Sequence, residues 1–270
     1  MKVDLHNHTN YSDGYYSPKE VVEFAIKNDV DCFAITDHDS VFGCEEIQAA
    51  AKNTNVKVIN GMELSTDYKG KSVHIVCLFK NNIVPKRLVE FSKEMLEKRK
   101  ERAIKMMTLV EKHYGLKVDV DLLLKECTVV TRGNMAVHLS KMNNMPLEET
   151  HKYVSFSSKA YIPSTKLPTK EGLNFAKECG CLVILAHPCL LPREYVEEIC
   201  TFGLDGIEVR YPKNKEGDEE YFRSLAQKYH LFVSAGSDFH GDTMKHAIIG
   251  TCTLDEDEFK VIKERLNLKW

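Results

Sequence analysis

Residues 32–39 read Cys32-Phe33-Ala34-Ile35-Thr36-Asp37-His38-Asp39: four apolar residues run directly into polar ones, three of them able to ligate a cation. A short apolar run that ends this way is expected of a buried strand with function at its carboxyl end. The pattern recurs outward in both directions. Val3–Leu5 leads into His6-Asn7-His8, and Val56–Ile59 into Asn60-Gly61-Met62-Glu63. Leu182–Leu185 ends in Ala186-His187-Pro188, and Leu231–Ser234 runs into Gly236-Ser237-Asp238-Phe239-His240. Val73–Leu78, with His74 near its start, and Gly206–Val209 complete the predicted strands. Helical patterns alternate with them. The clearest opens at Ser17-Pro18-Lys19-Glu20, a serine cap with proline at the first helical position and glutamate to close a capping box. Repeated βα units are the expected architecture.

The rhythm breaks between about Pro85 and Pro168. Residues 86–114 predict one long amphipathic helix followed by shorter ones, so 86–165 is read as a helical insertion between two barrel-forming segments, 1–85 and 166–270. Lys86–Lys105 holds eight Lys/Arg against four Glu, a pattern that suits a solvated face with i,i+4 ion pairs better than an RNA-binding face.

Composition excludes several classes. The 37 basic and 40 acidic side chains give a formal charge of −3, too balanced for binding of nucleic acid through bulk positive charge, and no stable duplex binding is expected. No run approaches the roughly 18–20 apolar residues of a membrane span. The residues at the start lack the apolar region of a signal peptide, and nine scattered cysteines without a C-x-x-C pair suit reduced thiols, so a cytoplasmic location is expected.

Six of the eleven histidines sit beside strand ends or carboxylates. In His6-Asn7-His8 the two imidazoles leave one face of a strand end and can converge on one ion. Asp13-Gly14 adds a carboxylate in a loop able to fold back. Each feature alone suits an ordinary satisfied polar residue, and Asp37 and Asp39 suit orientation of His38 or a turn cap as well as metal contact. Buried imidazoles and carboxylates gathered in such number, however, are costly without a cation. A cysteine-free His/Asp/Glu site for two or three divalent ions follows, with Mn²⁺, Fe²⁺ or Zn²⁺ all compatible.

Together these motifs resemble the PHP (polymerase and histidinol phosphatase) family of metal-dependent phosphoesterases. The resemblance rests on Asp4-Leu5-His6-Asn7-His8-Thr9 with Ser12-Asp13-Gly14, Ile35-Thr36-Asp37-His38-Asp39-Ser40, Gly61-Met62-Glu63, Ala186-His187-Pro188 and Gly236-Ser237-Asp238-Phe239-His240, all in the family's order. It implies a distorted (β/α)7 barrel of the PHP type, here with a helical insertion, and a three-metal centre at the carboxyl ends of the strands. Carried over by position, one ion would take His6, His8, Glu63 and Asp238. A second would share Glu63 and add His74 and His187, and a third would take Asp13, His38 and His240. His113, His138, His151, His230 and His246 match no motif. The implied chemistry is attack on phosphorus by a metal-bound hydroxide, with Asp4, Asp37 and Asp39 holding the liganding rings in orientation.

Within the family, histidinol phosphatases usually carry histidine where this chain has Asp13, and polymerase-linked members are far longer. The stand-alone group with Thr-Asp-His-Asp-Ser and a Tyr-Ile-Pro segment, here Tyr161-Ile162-Pro163, looks closest. It includes 3′,5′-nucleoside bisphosphate phosphatases and 5′-to-3′ exoribonucleases, which implies a nucleotide or short-oligonucleotide substrate. A histidinol-phosphate or other small-metabolite phosphatase is the alternative, and a metal-binding module without turnover the third reading. For substrate contact the candidates are Arg132 before a predicted helix, Arg210 at the end of Gly206–Val209, and Lys159 and Tyr161 on the return of the insertion.

Overall fold

Parallel pairing of the first three strands follows the apolar runs. The computed structural model describes residues 1–127, 129–163, 166–241 and 247–270, and among these there are eight strands and ten α-helices. Strand β1 (Val3–Asp4) pairs in parallel with β2 (Cys32–Ile35), Val3 opposite Cys32, and β2 pairs in parallel with β3, Cys32 opposite Lys57. Here the chain departs from simple βα repetition. Strand β3 (Lys57–Tyr68) continues through Glu63 and returns directly as β4 (Lys71–Phe79), antiparallel, with Glu63 opposite Val76. The two turn residues, Lys69 and Gly70, have φ of 52° and 79°, the left-handed geometry that a tight two-residue hairpin requires. Sequence periodicity ends the third strand at Ile59; the hairpin instead places Glu63 inside it.

A short β5 (Leu167–Pro168) adds to β3, and β6 (Cys181–Leu185) pairs antiparallel with β4. Parallel pairing resumes with β7 (Gly206–Arg210) and β8 (Phe232–Ala235). Bonds from Leu5 N–H to Ala235 O (3.0 Å) and from Asp238 N–H to His6 O (2.9 Å) bring β8 back to β1. The result is a nearly closed, distorted α/β barrel.

Alternation along each strand divides the core. Leu5, Cys32, Ala34, Ile59, Val76, Leu78, Leu182 and Ile184 form one buried cluster with Phe259, Ile262 and Leu266 of α10 (Glu256–Leu266). Phe33, Ile35, Ile75, Cys77, Val183, Leu185 and Ile207 pack instead with α1 (Pro18–Lys27), α2 (Cys44–Ala51), α7 (Thr169–Glu178), α8 (Arg193–Cys200) and α9 (Asp218–Lys228). Each large side chain removed from water here contributes roughly 1.5–3 kcal/mol. Helix α1 opens with the predicted capping box: Glu20 N–H donates to Ser17 Oγ, and Ser17 N–H to the Glu20 carboxylate.

Between β4 and β5 run α3 (Lys86–Tyr114), α4 (Val120–Glu126), α5 (Arg132–Asn143) and α6 (Leu147–Val154). They enclose their own apolar cluster, which includes Ala103, Met106, Val110, Leu123, Met135, Leu139 and Val154. The charged face of α3 carries Lys98–Glu94 and Lys100–Glu97 ion pairs. All nine cysteines are unpaired thiols. Among the described residues no helix is long and apolar enough to cross a membrane.

Candidate metal centre

Glu63 is the hub of the site. Its side chain is fully buried, and its two oxygens are divided between five imidazoles. Oε1 lies 3.0 Å from His74 Nδ1 and 2.9 Å from His187 Nε2. Oε2 lies 3.3 Å from His6 Nε2, 3.2 Å from His8 Nε2 and 3.0 Å from His38 Nδ1. The hairpin explains the first contact: His74 pairs with Ser65, two residues beyond Glu63, so both side chains leave one face of the sheet. Asp238 Oδ1 approaches His6 and His8 at 3.5 and 3.1 Å, and Asp13 Oδ1 lies 3.1 Å from His240 Nε2.

Ligand-capable atoms of His6, His8, Glu63 and Asp238 all lie within 4.8 Å of one another, as do those of His8, Asp13, His38 and His240, and those of His38, Glu63 and His74. The structure thus brings together all nine residues that the resemblance implies. Whether they fit cations is answered by their unmet needs. His6 Nε2, His8 Nε2, His38 Nδ1 and Glu63 Oε2 are buried yet lack a hydrogen-bond partner of acceptable geometry. Four orphaned atoms converging on one space are what a divalent ion would satisfy. Burial alone would raise the Glu63 pKa, but the charges of His38, His6 and His74 hold it well below the usual carboxylate range.

Backbone strain marks the same place. His187, Asp238 and Asp39 have φ of 30°, 49° and 52°, the left-handed region that favours glycine. Gly236 is required by close approach, because a Cβ there would stand 2.2 Å from His6 Cβ.

The three expected orienting carboxylates act differently from the sequence reading. Among the described residues their hydrogen bonds reach no imidazole. Asp4 accepts from the N–H groups of His6, Ser237 and Gly250, tying the two strand ends together. Burial pushes its pKa up to about 6 against those bonds. Asp37 accepts from Thr9 N–H and from the Thr9 and Ser12 hydroxyls. Asp39 accepts from Ser65 N–H and from Arg99 of α3. The group that does orient a ring is Glu208 in β7, missed in the sequence. Its Oε1 lies 3.2 Å from His6 Nδ1, and its Oε2 accepts from His187 N–H at 2.6 Å. A carboxylate in the otherwise apolar run Gly-Ile-Glu-Val was the available signal.

Arg210 is the clearest correction. It is not turned to the cluster: its guanidinium donates to Glu219 (2.9 Å), to both oxygens of Glu258 (2.7 and 3.0 Å) and to Thr253 O (2.9 Å). A β-bulge between Glu208 and Arg210 breaks the alternation of faces. Its neighbour Tyr211 reaches the centre instead, donating to Asp238 Oδ2 at 2.9 Å.

A cation just past the insertion borders the site. Lys166 Nζ donates to Ser72 Oγ, which lies 2.9 Å from His74 Nε2. Burial lowers the Lys166 pKa; Asp39 opposes the shift, and the charges of Arg99 and Arg132 reinforce it. Arg132 is the first residue of α5, Tyr161 lies against Arg102, and Lys159 is exposed on the turn between them. Of the unmatched histidines, His113, His138, His151 and His230 stand apart from the cluster, and His246 lies outside the described residues. His138 accepts from Asp119 N–H.

The barrel, with histidines and carboxylates gathered at its strand ends, defines a metal-dependent hydrolase scaffold. A PHP domain family model matches residues 4–162, and the chain belongs to that family. It is 28% identical over 253 residues to a 5′-3′ exoribonuclease of Haemophilus influenzae, covering 88% of this chain and 90% of that protein. It is 29% identical over 249 residues to a 3′,5′-nucleoside bisphosphate phosphatase of Chromobacterium violaceum, covering 88% and 87%. Among solved structures, a candidate metal-dependent phosphoesterase from Bifidobacterium adolescentis superposes with a TM-score of 0.84 at 26% identity, over 97% of this chain and 96% of that one.

Proposed function

We propose that this chain is a metal-dependent phosphoesterase that hydrolyses phosphate esters of nucleotides or short oligonucleotides. The observation that carries the reading is the Glu63-centred set of imidazoles and carboxylates with its orphaned buried atoms. His6, His8, Glu63 and Asp238 would hold one ion, Glu63, His74 and His187 a second, and Asp13, His38 and His240 a third. When bound, two to three divalent ions offset phosphate charge and lower the pKa of a water for in-line attack on phosphorus.

The protein's own residues do the rest. Glu208 fixes His6 through its Nδ1, leaving Nε2 to face the centre. Tyr211 orients Asp238, and Asp4 and Asp37 hold the loops that present the ligands. Lys166, joined to His74 through Ser72, and Arg132, whose charge acts on Lys166, add positive charge at this edge of the site, suited to a second, non-reacting phosphate. The exoribonuclease and the bisphosphate phosphatase among the relatives act on substrates of this kind by name. Phosphate release from a panel of a nucleoside 3′,5′-bisphosphate, a 5′-phosphorylated oligoribonucleotide, histidinol phosphate and an aryl phosphate tests the reading. Turnover of the first two in preference to the others is expected. A preference for histidinol phosphate would replace it with a small-metabolite phosphatase, and no turnover with any divalent ion would leave a binding module.

A further inference from the structure

The insertion carries a feature that phosphate hydrolysis alone does not use. Phe156, just beyond α6, is 69% exposed. Its ring centroid lies 5.0 Å from that of Tyr161, and the Arg132 guanidinium sits 4.2 Å from the Phe156 centroid. Arg102 lies 5.6 Å from the Tyr161 centroid and is held there by a 2.7 Å bond from its Nε to Ile162 O. One turn earlier on α3, Arg99 pairs with Asp39, the residue after His38. Arg99, Arg102, the Tyr161 and Phe156 rings and Arg132 therefore form one continuous guanidinium and aromatic surface that begins at the edge of the metal centre.

The chemistry of that surface selects its occupant. An apolar protein partner would not be matched by Arg102 and Arg132 set against two rings. A duplex offers no free base face, whereas a single strand offers an unstacked base and a phosphate at each step. We propose that Phe156 and Tyr161, flanked by Arg132 and Arg102, form a stacking shelf for the base that follows the nucleotide being hydrolysed. The enzyme then holds a single-stranded oligonucleotide better than a mononucleotide. The position of the reacting phosphate rests on the phosphoesterase reading; the shelf itself does not.

The test separates the two. Binding of a 5′-phosphorylated, 3′-labelled tetraribonucleotide to chelator-treated protein is followed by fluorescence anisotropy, with thermal unfolding as a check on folding. Phe156→Ala is expected to weaken binding about tenfold, and Phe156→Trp to retain it. With metal restored, the ratio of kcat/KM for the tetranucleotide over that for a nucleoside bisphosphate should fall by a similar factor in Phe156→Ala. Equal affinity of wild type and Phe156→Ala, or an equal loss for a blunt hairpin duplex long enough to stay paired, overturns the shelf. Hydrolysis with no length preference in the wild type also overturns it while sparing the phosphoesterase reading. Phe156-dependent binding in a protein that hydrolyses nothing supports the shelf and overturns that reading alone.

Discussion

The barrel and the insertion use charge in opposite ways. At the strand ends, charged and ionisable groups are buried, strained and left with orphaned atoms; His6, His8 and Glu63 are almost wholly removed from water. On the insertion, Arg102 and Arg132 are spread over aromatic rings and Lys98 and Lys100 pair with glutamates on an exposed helix face. The buried arrangement is costly without a cation and is suited to chemistry. The second, whose arginines are only partly buried, costs less and is suited to recognition. Substitutions in the two regions should consequently fail differently, the first in metal content and turnover, the second in substrate preference.

The largest effect belongs to the hub. Glu63→Gln removes the one carboxylate that faces five imidazoles, and activity should fall well beyond the roughly 10–100-fold typical of groups that only orient ligands. Metal analysis should show ions lost together with activity. Glu208→Gln should fall within that roughly 10–100-fold range, because it leaves the ligands in place and loosens His6; a metal titration monitored by activity reads it. Arg132→Ala should sharpen the contrast. With metal content intact, kcat/KM for a nucleoside bisphosphate should drop about 10–100-fold, and for an aryl phosphate much less. Equal losses on both would place Arg132 with the barrel's machinery.

The smallest effect lies in the barrel but away from its metal centre. Glu258 is held at a pKa of about 2: burial would raise it, but bonds from Arg210 and Arg223 outweigh that. A carboxyl depressed in the folded state stabilises above its ordinary value near 4.5 and loses that contribution as pH falls toward 2. Glu258→Gln should therefore cost roughly 1–2 kcal/mol of stability near neutral pH, with the gap to wild type closing between about pH 4.5 and 2 in thermal melts. Arg210→Ala should lower stability similarly and leave kcat/KM within about twofold. A large kinetic loss there would return Arg210 to the substrate.

Most of the candidate ligand residues were legible because they follow or occupy an apolar run, Asp13 in its loop being the exception, and His6 and His8 share a face by simple i,i+2 geometry. The hairpin was less so. Lys69-Gly70 is a weak turn signal, and a strand twelve residues long reads as an apolar run ending at Ile59. Glu208 was hidden because one carboxylate in a strand does not declare which face it takes. Arg210 was misread because strand alternation cannot foresee a bulge. Arg99 escaped because a helix face rich in lysine and glutamate conceals the one arginine that turns inward to Asp39.

The most direct measurement is anaerobic elemental analysis of the purified protein, coupled to phosphate release from a nucleoside 3′,5′-bisphosphate before and after chelation. Two to three divalent ions per chain are expected, with turnover abolished when they are stripped and restored when Mn²⁺ is returned. Full turnover in excess chelator, with no ion retained, would contradict a catalytic metal centre built on Glu63.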